Sequence, residues 1–593
     1  MSFSSPFLLD LHRSMSTVFL QRRLTSKAGS NGSSVAHNDT LTALYHNWSL
    51  PPTQTLPLQS PLRDSPYQFH SKTNSDPSYI QTPRLAVTKM LVDRWCELRE
   101  YYGIYSGSLS VKPSKAIELG VERHSELEEM MHTKVDVSSL EQTVEEIYTE
   151  VVRREELICT EEQGDSVFPD PPCSERLSVS VEEFEDAVFG SVGVSDMASQ
   201  WSNQIINRLY ALITTSEARE VLVHCYVDLT KGKFIDNTRS LLAGQTDPGV
   251  ANPRKVLVSG IIDHLSLTNQ HDPSDLSLFE EIKWNEEYNC DHVINHTLLV
   301  DITSFLKRTE KLLGDHKDSF KVRTTDVKTR SYNKIPPQKS VLESAKFQTI
   351  YYRKMFGLLA TENRVDEHFG YNSLLENARQ RGLNVDEPIN MLTILVLLRQ
   401  NFKILYKDFV KLAKGEPIGH EAYDTFMREN SFDSYDLSQL VQLEPFENLS
   451  LAENFDYCEL LTSDLITAWK YPPTLRYFAA RSAQFYSLFQ DLMGDVTSVE
   501  YHNVKTQRCF HTSEYAYNSS ELESQLQSGT SFWNGERAPI FTNDLDKCKY
   551  CEFNSRCAVP NGKTDDSDHR KIIGQEISRF LEDRNRIEQS ETS

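Results

Sequence analysis

The sequence predicts an α/β fold built on a small mixed sheet, and three observations predict it. β-Branched runs of strand length occur at Glu220–Val227, Lys255–Asp263 and Phe320–Lys328, bounded by Gly, Pro and Asn. Stretches with helical periodicity precede these runs, separate them and dominate the C-terminal half. No internal repeat recurs, which excludes a solenoid, and the strands do not alternate regularly with helices as a barrel of parallel strands would require.

The chain divides by composition. Met1–Asn31 carries Arg13, Arg22, Arg23 and Lys27 against the single acid Asp10, with Phe19, Leu20 and Leu24 near helical spacing. An Arg- and Ser-rich, acid-poor start of this kind is the pattern of a mitochondrial presequence, here residues 1–31. Residues 32–83, rich in Ser, Asn, Thr, Pro and Gln, read as a disordered linker. One large domain follows over 84–563, and 564–593 is a C-terminal helix or tail.

Within the domain, Thr88 is placed to cap a helix running through Met90, Leu91 and Trp95 to Tyr101 and carrying Cys96. A second amphipathic helix starts near Pro113 and carries Gly120 and His124. Glu141–Glu156 reads as a further helix, residues 164–173 break the chain, and helix returns over Asp196–Leu212. The three strand runs come next, interrupted by an acidic, irregular insertion at Thr268–Asn289 and by an apolar run, Thr297–Ile302, that leads into a charged helix. Helices are predicted over Val341–Leu359, Ile389–Lys414 and Ala468–Met493, and a last strand over Val496–Val504.

Charge and cysteines bound the function. With a formal net charge of −23, the chain is unsuited to gripping nucleic acid over its whole surface. Between Lys321 and Lys354, however, nine Lys and Arg face only Asp326 and Glu343, a basic island able to steer a polyanion locally. No apolar run approaches the roughly 20 residues of a membrane span, so no membrane partner is expected. The ten cysteines are scattered, apart from Cys548, Cys551 and Cys557, and do not form a secreted disulfide framework. Three thiols at this spacing are one short of a tetrathiolate site, and spacing alone does not choose zinc or an iron–sulfur cluster.

Thr325–Tyr352 carries the chemistry. A strand's period of two puts Asp326 and Lys328 on one face, and helical spacing puts Gln348 and Tyr352 on one side of the next helix. Asp263 closes the apolar run Val258–Ile262, where a solvated strand would not place a carboxylate. Two carboxylates from adjacent strands suit Mg²⁺, a hard cation that also takes phosphate oxygens, and Lys328 beside them can orient or help deprotonate a water or balance charge in the transition state. Asp301 lacks a Lys two residues on and is set aside. No Gly-x-x-x-x-Gly-Lys-Ser/Thr loop occurs, which disfavours a helicase–nuclease.

Taken in order, Gly120-x-x-x-His124, Gly260-Ile261-Ile262-Asp263, Asp326-Val327-Lys328 and Gln348-x-x-x-Tyr352 resemble the motifs of the RecB-like PD-(D/E)xK nucleases. The resemblance implies a restriction-endonuclease-like core with Mg²⁺ held by His124, Asp263, Asp326 and the Val327 carbonyl. It assigns Lys328 as the catalytic lysine and Gln348 and Tyr352 as supporting residues. The acid before x-Lys is Asp rather than the commoner Glu. Iron–sulfur nucleases of this branch close a [4Fe–4S] cluster with one remote N-terminal cysteine and a Cys-x-x-Cys-x₅-Cys group, which implies Cys96, Cys548, Cys551 and Cys557. Such a cluster would be a structural staple, not a hydrolytic centre.

The core, cluster and presequence together resemble mitochondrial exonucleases of fungi within this family. What that implies is a monomeric single-strand-specific DNA exonuclease, running 5′ to 3′, releasing short oligonucleotides in mitochondrial genome maintenance, with a single-strand-binding protein as partner. Arg330, Lys346, Arg353 and Lys354 are the candidate DNA contacts. The alternatives are a degenerate nucleic-acid-binding scaffold, which would be expected to have lost Asp263, Asp326 or Lys328, and a nuclease acting on RNA or as an endonuclease.

Overall fold

The computed structural model of the chain describes residues 64–73, 84–106, 115–132, 192–243, 254–288, 297–361, 368–432 and 467–554, with a few isolated positions that include Cys557. The predicted presequence, the helix over 141–156, the break at 164–173 and the C-terminal tail lie outside the described residues.

In chain order, the main elements begin with α1 (Pro66–Thr73), β1 (Arg84–Ala86), α2 (Glu97–Ser106), α3 (Lys115–Met131), α4 (Val192–Trp201) and α5 (Asn207–Thr215). Next come β2 (Glu217–Asp228), β3 (Lys233–Ile235), β4 (Lys255–Asn269), α6 (Ser277–Tyr288), α7 (Ile302–His316), β5 (Phe320–Arg330) and α8 (Lys339–Ala360). The chain continues through α9 (Phe369–Gln380), α10 (Met391–Lys414), α11 (Glu421–Glu429) and α12 (Leu475–Ser487) to β6 (Val496–Asn503), β7 (Arg508–Ala516) and α13 (Ser519–Trp533). The result is the predicted α/β architecture, a small mixed sheet flanked by helices, compatible with a PD-(D/E)xK-like core.

The sheet order is β7-β6-β5-β4-β2-β3, and its fork decides where chemistry can occur. Along one edge, β4 pairs antiparallel with β2 over most of its length. Along the other, β1 pairs parallel with Leu257–Ser259, and β5 pairs antiparallel from His264 onward. Among the described residues, Gly260 to Asp263 therefore have no strand partner on that edge. A gap between two partners of one strand exposes backbone and side chains without ending the strand. Helix α8 packs over β2, β5 and β6 and closes one side of this gap.

Several predicted boundaries move, each for a local reason. Residues 66–73, inside the predicted linker, form a helix because Tyr67 and Phe69 are buried in the core. The predicted helix from Thr88 to Tyr101 is broken into a turn at Val87–Met90, a 3₁₀ turn at Val92–Arg94 and α2, so Cys96 lies in the break rather than on a helix. Asp263 is interior to β4, which runs on to Asn269 because Leu265 and Leu267 alternate inward. The acidic insertion contains α6, anchored by buried Leu278, Phe279 and Ile282. Of the apolar run at 297–302, only Thr297–Leu298 pairs as a strand. The helix predicted from Ala468 begins only at Leu475, since Pro472 and Pro473 lack the N–H groups it would need.

Candidate active site

Asp326 and Lys328 reach the gap from β5. Asp326 is fully buried, and the Lys328 ammonium lies 2.9 Å from its carboxylate. Both carboxylate oxygens lie 2.9 Å from the ammonium, with the hydrogen bond aligned on Oδ1 and an ionic contact to Oδ2. Burial raises the Asp326 pKa to about 6, with Lys328 lowering and Asp263 raising it. Burial opposes charge on Lys328, but Asp326 and Asp263 outweigh it and hold its pKa above the usual lysine value. The ammonium form therefore persists, which suits it to balancing charge rather than to taking a proton.

The ladder between β4 and β5 ends at the His264–Thr325 pair. One position further, Asp263 replaces the missing backbone partner: its Oδ2 accepts the Val327 N–H at 2.6 Å. Burial raises the Asp263 pKa as well, with His124 acting against it. On α3, Gly120 lets the helix approach β5, since a Cβ there would meet Thr329 Oγ1 at 3.1 Å. One turn later, His124 sets Nε2 3.2 Å from the Val327 carbonyl and Nδ1 3.8 Å from Asp263. Burial works against the imidazolium, yet Asp263 and Glu220 raise its pKa to about 9.

From α8, Gln348 bridges the two sides: its Oε1 accepts from Lys328 at 3.1 Å and its Nε2 donates to the Tyr352 hydroxyl at 2.8 Å. Tyr352 lies against Gly260, where a Cβ would fall 2.5 Å from the ring. All the motif residues thus converge on the gap. The donor set of carboxylate, imidazole and carbonyl fits a hard divalent cation.

The basic candidates do not all join them. Arg330 ends β5, and a strand's period of two puts it on the face of Asp326 and Lys328. Lys346 is held by Glu521 at 2.7 and 2.8 Å. Arg353 donates to the Gly494 carbonyl at 2.7 Å and stacks over Tyr517, and Lys354 lies over the Phe234 ring. These three tie α8 to neighbouring elements. Asp301, set aside above, caps α7 and pairs with Lys411.

Glu220 was not singled out by sequence. Its carboxylate is 3.5 Å from His124 Nδ1, and Glu220, His124 and Asp263 bring one donor atom each within 4.8 Å of one another. An acid at the head of an apolar strand looks like an ordinary solvated end.

The four predicted thiols also converge. Cys96, Cys548, Cys551 and Cys557 line one cavity with Trp95, Tyr102, Phe541 and Phe553. Burial raises the Cys548 and Cys551 thiol pKa values, and Cys96 adds to both shifts. Four thiols gathered within an aromatic shell fit a cationic cluster or ion. Beside the cavity, the fully buried Glu97 takes both terminal nitrogens of Arg537, at 2.6 and 2.7 Å, and the Ile540 N–H at 2.7 Å.

A family model described as "Exonuclease V - a 5' deoxyribonuclease" matches residues 79–153 and 182–558. The chain belongs to the exonuclease V family. A family member named mitochondrial exonuclease V, from Scheffersomyces stipitis, is 46% identical over 92% of this chain and 94% of its own length. The relative of the same name from Debaryomyces hansenii is 41% identical over 89% and 83%. That from Eremothecium gossypii is 30% identical over 81% and 77%. The family match takes in every motif residue and thiol named above. Among the described residues, no helix is long and apolar enough to cross a membrane.

Proposed function

We propose that the chain is a Mg²⁺-dependent, single-strand-specific DNA exonuclease that runs 5′ to 3′, releases short oligonucleotides and serves mitochondrial DNA maintenance. Membership of the exonuclease V family supports DNA exonuclease activity, and the names of its relatives support the mitochondrion. The observation that carries the mechanism is the meeting of Asp263, Asp326, Lys328 and His124 in the gap of the sheet.

A bound Mg²⁺ would supply Lewis-acid polarisation of the phosphodiester, held by His124, Asp263, Asp326 and the Val327 carbonyl. The chain's own groups do the rest. Asp263 is oriented by the Val327 N–H through Oδ2, and its Oδ1 turns to the side of His124, 3.8 Å from Nδ1. Lys328, held by Asp326 and Gln348, presents a fixed positive charge to the negative charge that builds on the phosphate. Tyr352 fixes Gln348 from behind. The thiols of Cys96, Cys548, Cys551 and Cys557 would hold a [4Fe–4S] cluster that staples the two ends of a domain over 84–563.

End-labelled single- and double-stranded DNA, blocked at either end, tests the activity with Mg²⁺ and wild-type or Asp326→Ala protein. Shortening of unblocked single strands from the 5′ end by the wild type alone is expected, and cleavage that survives the substitution overturns the site. An anaerobic visible spectrum with iron and zinc analysis tests the cluster, and zinc without iron refutes it.

A further inference from the structure

Glu220 stands apart from its strand. Its φ is 52°, in the left-handed region that side chains other than those of Gly, Asn and Asp seldom enter. The β2–β4 ladder pairs Arg219 with His264 and Val221 with Ile262, so Glu220 lies opposite Asp263 but outside the ladder. Strained backbone at one position persists only where the surroundings impose it, and it clusters at functional sites. Here the strain delivers a carboxylate to one edge of an imidazole.

The two nitrogens of that imidazole face different groups. Nε2 lies 3.2 Å from the Val327 carbonyl, an atom of the proposed cation site. Nδ1 faces carboxylates, with Glu220 at 3.5 Å and Asp263 at 3.8 Å. Asp263 is already engaged by the Val327 N–H and is itself needed by a cation. A neutral imidazole has one N–H and one lone pair, so a carboxylate that accepts from one nitrogen turns the lone pair of the other outward. Carboxylates placed this way behind a ligating histidine set its tautomer and its affinity for metal.

We propose that Glu220 is a positioning residue for His124. It accepts the Nδ1–H, so that in the cation-bound site the Nε2 lone pair is the one turned to the ion, on the side of the Val327 carbonyl. This role rests on the cation reading of the gap given above.

Binding of Mn²⁺ alone to the full chain, followed by the electron paramagnetic resonance signal of the unbound ion, tests it without reference to cleavage. Glu220→Ala keeps the same Cβ and the same backbone cost, and is expected to weaken Mn²⁺ binding by about 10- to 100-fold. Glu220→Gln keeps an acceptor oxygen and recovers most of that loss. Glu220→Gly relieves the left-handed backbone, so its melting temperature is no lower than that of Glu220→Ala while its affinity falls equally. Wild-type-like affinity in Glu220→Ala overturns the role, and so does Glu220→Gln binding as poorly as Glu220→Ala, which would mark Glu220 as a direct ligand. Failure of the wild type to bind Mn²⁺ removes the cation site itself, and this role with it.

Discussion

Lys328 holds its ammonium 2.9 Å from the carboxylate of Asp326, a group with no exposed surface. A buried acid whose pKa is pushed up by burial is costly to keep ionised, and the lysine offsets only part of that cost. Asp326→Asn removes the charge and keeps the shape. Nuclease activity is expected to fall by about 10²–10³-fold, while the thermal unfolding midpoint holds or rises. A parallel fall in both quantities would mean that Asp326 is structural.

Gly260 is the contact point between β4 and Tyr352. A Cβ added there lies 2.5 Å from Tyr352 Cε1 and 3.2 Å from Val87 Cγ2, and the ring has no exposed direction in which to yield. Gly260→Ala should cost about 1–3 kcal/mol and shift Tyr352 away from Gln348, lowering activity at least tenfold on the order expected for a misplaced site. Gly314→Ala is the control: it meets nothing within 4 Å and lies in α7, so activity should be unchanged. Calorimetry and single-strand degradation rates on both variants decide.

Away from the gap, Arg481 and Asp408 form a fully buried ion pair at 2.5 and 2.8 Å, with the Tyr477 hydroxyl donating to the same carboxylate at 2.9 Å. Removing one partner strands the other charge in the core, and Asp408→Ala is expected to cost about 3–5 kcal/mol. Replacing both, as Asp408→Leu with Arg481→Met, should recover much of the loss. Unfolding midpoints of the single and double variants measure it, and a double variant no better than the single refutes it.

His224 sets a pH dependence. Burial, reinforced by Arg381 and opposed by the Ser373 backbone, lowers its pKa to about 4. The unfolded chain binds that proton more readily, near pH 6.5, so this contribution to stability is full above pH 6.5 and declines as pH falls towards 4. The loss amounts to about 3 kcal/mol at most. His132 and His420, with pKa values lowered by burial to about 3, add in the same direction. Melting of the wild type and of His224→Gln between pH 7 and 4 checks this, and an identical slope in the two would remove His224 as a cause.

What could be read from the sequence follows from where burial leaves a pattern. β2, β4 and β5 announce themselves because their residues are buried in runs, and α10 because its apolar stripe repeats over 24 residues. β7 gave no signal: it is an edge strand whose residues are exposed or half-buried, so no alternation is imposed on it. The motif residues could be placed because each sits at a fixed offset within one element. Glu220 could not, since its role depends on a left-handed residue and on a helix almost a hundred positions upstream. Lys346 and Arg353 illustrate the converse, for a basic residue in sequence carries no mark of the Glu521 or Gly494 that engages it.

The clasp of Glu97 by Arg537 joins residues 440 positions apart. An ionised acid with no exposure is tolerable only with its partner in place. A chain that emerges N-terminus first therefore cannot settle α2 until nearly all of the domain has followed. Until then, the segment bearing Cys96 waits with its acid in water, and a chain cut short before Arg537 has no means of finishing. Completion of the fold is thus a test of the chain's own integrity, applied at Arg537 rather than at the sheet.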